Sequence, residues 1–334
     1  FFTVDELIKK ISGKQHIQGI SLWLFGYDVY KKIYPEETLE NFLKWFTTLL
    51  KDWDDKTKFS KENKAVLETM LDDERISIFS DYPDPKDCHI EGINLRGGVC
   101  SFLWDARHKG ECDFISHING KSYPSRRTLK TEGEDILIRY TKGLSILKKV
   151  KEKEDEFFED YVSGRDPFGF GDGFKDYRTK ETGAYTTPLY CVRKEIGYVK
   201  WSQVDKEYRP LSNKWKVLVA KASPGEDTLP HTIISAPVLS EPKSVCTNGL
   251  FVVKTVKSKA EAQNLIDYMH TSFFRFMMLL AKNGHNLTNR VYRYVPVLDL
   301  SKKWTDKMLF KRYGITKTEQ DFIKSVIKDI NDKG

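Results

Sequence analysis

The chain has 334 residues, of which 40% are apolar and 31% charged, and a net charge of +7. That suits two domains, or one with an extension, and is enough to bury a real core. No run approaches the roughly 20 apolar residues of a membrane span, and the five cysteines, odd in number and without a C-x-x-C pair, exclude a zinc ribbon and a disulfide scaffold.

Reduced thiols and a cytoplasmic location fit that cysteine pattern. Asp5, Glu6, Lys9 and Lys10 interrupt the first apolar residues, so no signal peptide is expected. Phe1 in place of Met reads as a processed, trimmed or partial chain. The charge is unevenly spread. Residues 1–74 carry 11 lysines, no arginine and 14 acids, and the remainder carries 44 cations against 34 acids. An excess of that kind is compatible with a polyanionic partner.

In chain order, residues 1–64 read as a helical segment. Pro35 suits a first helical turn, with Glu36 and Glu37 favoured by the helix dipole. Leu39, Phe42, Leu43, Phe46, Leu49, Leu50 and Trp53 then fall on one face. That stripe reads as core-facing, or else as a docking surface for a partner subunit. Residues 54–64 are a polar linker. Residues 76–79 and 99–104 are apolar runs bounded by turn residues, so both are expected to be strands. The second is apolar enough to suggest cover on both faces of a larger α/β sheet. Residues 117–134 read as a polar loop, 134–151 as a helix or a strand and then a helix, and the charged run after it as a solvated face. Between 163 and 253, short β-like runs at 189–193, 196–201, 215–220, 231–236 and 250–253 alternate with turns. Two capping boxes, Ser258-x-x-Glu261 and Thr316-x-x-Glu319, open the closing helices. The first carries an apolar stripe from Ala262 to Leu280, and the second one from Phe322 to Ile330.

Several short motifs stand in order along the chain. Asp81-Tyr82-Pro83 with Asp87-Cys88 is followed by Gly97-Gly98-Val99-Cys100, then by Lys109-Gly110-Glu111-Cys112 and Ile138-Arg139-Tyr140. Residues 163–169 (SGRDPFG), Lys221-Ala222-Ser223, Cys246-Thr247, Phe273-Phe274-Arg275-Phe276, Val295-Pro296, Trp304-Thr305-Asp306 and the tail KRYGITKTEQDFIKSVI continue the series. In order and spacing this resembles the type II (type IIG-like) restriction-modification adenine methyltransferases that fuse methylase and target recognition in one chain. The resemblance covers residues 66–330. It implies that 65–115 holds the last strands of a methylase-like α/β domain and that 116–334 is the region reading the DNA sequence. The expected fold is therefore α/β (α+β): a remnant of a methylase-type sheet, an irregular β-rich recognition region and C-terminal helices.

The methylation residues themselves are missing. Such an enzyme needs a tetrapeptide Asn/Asp/Ser-Pro-Pro-Tyr/Phe to hold the target amine and stack on the flipped base, and this sequence has no Pro-Pro pair. The best glycine-rich stretch, 168–174, follows a charged stretch rather than a strand, which is wrong for a cofactor turn. S-adenosylmethionine is thus expected for the complete family enzyme, with no cofactor in this chain. Asp54 or Asp55 with Glu62-Asn63-Lys64 mimics a metal-nuclease pattern, but it lies in a polar linker rather than on converging strands. The seven histidines are dispersed, with no metal-ligand spacing. What remains is double-stranded DNA recognition by loop cations: Arg126, Arg127 and Lys130; Arg165, Lys175 and Arg178; Lys221 beside Ser223. The alternative is a structural subunit that docks on a catalytic methylase or nuclease partner through residues 35–53.

Overall fold

The computed structural model describes residues 68–88, 98–171, 173–192, 196–222, 229–282 and 287–329. The helical segment and linker expected over 1–64 lie outside the described residues, as do Ser223 and Gly225. The described part has mixed α+β content, and the chain divides into two compact units, residues 1–141 and 142–334. The division expected after residue 115 falls inside a strand.

In the first unit, β1 (Ile76–Tyr82), β2 (Val99–Trp104), β3 (Cys112–Ile118) and β4 (Lys121–Arg127) form a sheet in the order β2-β1-β3-β4. β1 pairs antiparallel with β2 and parallel with β3, and β3 and β4 form a hairpin. A register shift between Ile76 and Ile78 lets Ile76 and Phe79 face the same core, a use of a β-bulge. There they join Leu71, Cys100, Cys112, Phe114 and Leu129. The strand at 99–104 was expected to be covered on both faces. It lies instead at the end of the described sheet: Ser101 is exposed and Phe102, Leu103 and Trp104 are half-buried.

Residues 117–134 are not the polar loop the composition suggested. Asn119 and Gly120 both have positive φ, 51° and 69°, the backbone of the two-residue turn that best matches strand twist. β4 follows as a strand that is polar on both faces. Pro124 is tolerated within it because no described strand pairs on its far side.

One buried ion pair ties three of the short motifs together. Arg139 donates to Asp81 from Nε at 3.0 Å and from Nη2 at 2.7 Å, and Asp81 is 1% exposed. Gly98 sits against this pair with φ +84°, and a Cβ there would strike the Arg139 guanidinium and come within 2.6 Å of the Tyr82 carbonyl.

In the second unit, α1 (Thr141–Lys151) buries Ile146, Leu147 and Val150. The charged run after it is not merely solvated: Lys149 donates to Glu319 at 2.6 Å, and Glu154 accepts from Arg312 and from the Tyr313 hydroxyl at 2.9 Å. Two three-stranded sheets follow. One contains β5 (Tyr185–Tyr190), β6 (Ile196–Lys200) and β9 (Val245–Cys246) in the order β6-β5-β9. The other contains β7 (Trp215–Ala220), β8 (Val238–Ser240) and β10 (Leu250–Val256) in the order β10-β7-β8. Phe168, Phe170, Leu189, Val199, Leu218, Val245, Cys246 and Val252 share one core. The strand expected at 231–236 is absent: His231 makes an isolated bridge with Ile327, and β8 begins only at Val238.

The stripe from Ala262 to Leu280 is two helices, not one. Apart from the short α2 (Arg209–Ser212), the helices of this region are α3 (Lys259–His270), α4 (Ser272–Ala281), α5 (Asp306–Tyr313) and α6 (Lys317–Val326). Thr271 is extended (φ −63°, ψ 149°) and caps α4 by accepting from the Phe274 amide at 3.1 Å. Asp306 adds acceptors for the Ser272 and Phe273 amides at 3.0 and 2.9 Å. The freed amides of a helix start are thus satisfied twice over. Every residue from Phe273 to Ala281 is buried, Arg275 among them.

Candidate nucleic-acid interface

Arg126 and Arg127 are neighbours on β4 with opposite fates, because successive side chains leave a strand on opposite faces. The Arg126 side chain is 64% exposed and lies 3.8 Å from a Glu111 carboxylate oxygen and 3.6 Å from one of Asp113, both themselves exposed. Arg127 turns inward. Its guanidinium donates to the carbonyls of Thr128 at 3.0 Å, Ile138 at 2.9 Å and Leu129 at 3.3 Å, and lies 4.6 Å from the Phe114 ring centroid. Burial pulls its pKa down to about 10, which still leaves it charged near neutral pH. Arg127 was expected among the DNA contacts, and this geometry commits it to the backbone instead. Lys130 donates to the Asp72 carboxylate at 2.6 Å on the surface of the same unit.

In the second unit, Arg165 sits in a turn built by its neighbours. Phe168 and Phe170 plunge into the core while Gly164, Arg165 and Gly169 stay exposed. Asp166 and Gly169 both have positive φ, 59° and 75°. A Cβ on Gly169 would also come within 3.1 Å of the Tyr208 ring. This glycine-rich stretch opens no helix among the described residues.

Lys175 is exposed just beyond that turn, and Arg178 joins a further group. Arg178 exchanges both backbone hydrogen bonds with Tyr198 of β6, at 2.9 and 2.7 Å, which fixes its Cα against the sheet. Its guanidinium lies 4.4 Å from the Tyr185 ring centroid, and Lys200 Nζ lies 4.8 Å from the same ring. The Tyr185 hydroxyl donates to Asp176 Oδ1 at 2.6 Å, and Gln203 Nε2 donates to Asp176 Oδ2 at 2.7 Å. Gln203 in turn accepts from the Lys200 amide at 2.6 Å. Next along, Arg209 lies 5.3 Å from the Trp201 ring. The result is a group of cations held over aromatic rings: Lys200 at the end of β6, Arg178 bridged to Tyr198 of β6, and Arg209 at the start of α2.

Lys221 is half-buried, with Nζ 5.1 Å from the Phe251 ring, and its backbone is fixed by Gly249 and Leu287. Its expected neighbour Ser223 lies outside the described residues. Tyr185, Lys200 and Gln203 were not singled out from the sequence. The signal for Lys200 was its place in the strand run 196–201, but its sharing of the Tyr185 ring with Arg178 depends on the bridge between Arg178 and Tyr198, twenty residues apart.

No group of three or more His, Cys, Asp or Glu that could hold a metal occurs among the described residues. No described helix is long and apolar enough to cross a membrane. No family model matches the chain, and no curated protein matches it in sequence. Among solved structures, the chain is similar to the type IIG restriction endonuclease BpuSI, at 10% identity and a TM-score of 0.31 over 80% of this chain. The match spans 46% of that structure's chain. A likeness of that size leaves function to be argued from the residues themselves.

Proposed function

We propose that this chain is a sequence-specific duplex-DNA-binding module, the target-recognition part of a restriction-modification adenine methyltransferase. It carries no methylation chemistry of its own. S-adenosylmethionine would be bound by the complete enzyme, in a catalytic methylase domain or subunit. The observation that carries this reading is the group around Tyr185, where Arg178 and Lys200 are set over one ring beside Arg209 and Trp201. Phosphates are contacted by such cations, and bases are read by arginines whose geometry is set before binding. The order of the short motifs in the sequence supports the family.

Arg165 and Lys175 are exposed cations of the same unit, and Arg126, Lys130 and Lys221 are further candidates. The test is a selection from a random duplex pool with the full chain. Recovery of a consensus site, bound more tightly than pool DNA, supports recognition. Equal retention of all sequences would leave a non-specific binder, and no retention would remove the proposal.

A further inference from the structure

The hairpin β3–β4 was not expected from the sequence, and its surface chemistry is unlike the rest of the first unit. Residues 114–131 contain Lys121, Arg126, Arg127 and Lys130 and no Asp or Glu in 18 positions. Arg127 points inward, and the others lie on the outer strand or just after it. On β4, Lys121, Ser122, Tyr123, Pro124 and Arg126 are all exposed. Seven residue pairs join the strands, from Cys112 with Arg127 to Ile118 with Lys121. At about 3.4 Å per residue, that is a ribbon about 20 Å long. β1 pairs with β3 only from Asp113 to Ser116, so the last pairs of the hairpin run beyond the ladder that anchors it.

The tip is nonetheless rigid. The Asp87 carboxylate accepts from the Asn119 amide at 2.9 Å and from the Gly120 amide at 2.8 Å. The Tyr82 ring stacks on His117 at 4.2 Å, and Ser122 Oγ hydrogen-bonds His117 Nδ1 at 3.1 Å. Past Ser116 no pairing with β1 continues, so the ribbon there is two strands wide, with the Asp87 turn packed against its tip. The major groove of B-DNA, about 12 Å across, admits a two-stranded ribbon of this kind.

We infer that the β3–β4 hairpin is a groove-entering ribbon. Its tip, Asn119 to Ser122, would face base edges in the major groove of duplex DNA, with Arg126 on the flanking phosphates. This rests on the DNA-binding reading and adds to it a second contact element, in the other unit and with a named groove. Asn119 and Lys121 are the residue types that pair with adenine and guanine edges. Arg126, near the base of the ribbon, is placed to meet backbone rather than bases. Asp87 acts as a positioning residue, its charge satisfied by the two tip amides.

The experiment uses the full chain and the duplex selected from the random pool. A photoreactive phenylalanine analogue replaces Ser122, and Lys121→Ala and Asp87→Asn are compared with wild type. Circular dichroism confirms that each variant folds, as expected for the exposed positions 121 and 122 and for the isosteric change at the half-buried Asp87. The inference expects cross-linking to the duplex from position 122. It expects Lys121→Ala to weaken the selected site about tenfold and to relax one base position. It also expects the footprint to be lost when guanine N7, a major-groove atom, is methylated. Asp87→Asn should weaken the selected site more than pool DNA. If wild type binds duplex DNA while position 122 does not cross-link and Lys121→Ala is unchanged, the ribbon is not in the groove and the rest of the reading stands. If wild type binds no duplex at all, both readings fall.

Discussion

At the scale of single residues, charge in this chain is divided between structure and surface. Arg127 and Arg126 make the contrast testable. Arg127→Ala removes its hydrogen bonds to two buried carbonyls and one part-buried carbonyl, and such a loss costs about 1–3 kcal/mol of stability or more. Arg126→Ala removes only exposed pairs, worth about 0–1 kcal/mol. Urea unfolding of both variants should show the midpoint falling for the first and nearly unchanged for the second; the reverse order would contradict the burial described here. Lys216 offers a second test. It is fully buried, its ammonium donates to the carbonyls of Ser212, Lys214 and Glu241 and to Ser244 Oγ, and burial lowers its pKa from 10.5 to about 8. Between those two values the unfolded chain holds the proton and the native chain does not. Stability should therefore rise as pH climbs from about 8 towards 10.5, by up to about 3 kcal/mol from this group. Lys254, also lowered to about 8, acts in the same direction. The wild type should consequently show a steeper rise than Lys216→Met over that window, and parallel pH profiles would refute the assignment.

At the scale of elements, the short motifs turn out to be fold determinants more than contacts. Asp81, Gly98 and Arg139 come from three different motifs and meet in one buried cluster. Gly98→Ala should be costly, since it combines a left-handed backbone, worth about 1–2 kcal/mol, with a clash against a guanidinium that cannot leave its carboxylate. Loss of at least about 2 kcal/mol in denaturant midpoint is expected, and a neutral effect would show that the cluster can open. The same logic explains what could be read from the sequence. Strands 76–79, 99–104, 196–201, 215–220 and 250–253 were visible because their apolar runs are local. So were both helix starts, whose cap bonds span three residues: Ser258 accepts from the Glu261 amide and Thr316 from that of Glu319. The capping box is complete only at Thr316, since the Glu261 carboxylate takes the Lys257 amide instead of that of Ser258. β4 was hidden because both its faces are polar, although Asn119-Gly120 announced the turn. The break at Thr271 was hidden because the second cap, Asp306, lies over thirty residues downstream. Of the site, the isolated cations could be picked out, but whether each turns inward, like Arg127, or over an aromatic ring, like Arg178, is decided by long-range pairing.

At the scale of the whole molecule, the proposed separation of recognition from catalysis gives two expectations. The chain alone should incorporate no methyl groups from tritiated S-adenosylmethionine into mixed genomic DNA, because the sequence has no Pro-Pro tetrapeptide and its one glycine-rich stretch opens no helix among the described residues. Incorporation above a no-protein control would overturn that. The second expectation concerns salt. Each phosphate neutralised releases condensed counterions, so log affinity falls linearly with log salt by about 0.9 per contact. Arg165, Lys175, Arg178 and Lys200 are four cations of the second unit, the last two held over the Tyr185 ring. If all four meet phosphates, affinity should drop about a hundredfold between 50 and 200 mM salt. Arg178 can be assigned within that total. As a phosphate contact, its replacement by Ala weakens all duplexes about equally and lowers the slope by about one. As a base contact, its loss costs about 1–3 kcal/mol on the selected site alone, leaves the slope unchanged and relaxes one position, a guanine being the base that suits a bidentate arginine. Its fixed backbone and its ring beneath the guanidinium favour the second pattern, since a reader must be held still while a phosphate contact tolerates movement. Titrations of wild type and Arg178→Ala at four salt concentrations, on selected and scrambled duplexes, separate the two patterns. A flat salt response in wild type would point to a partner other than DNA.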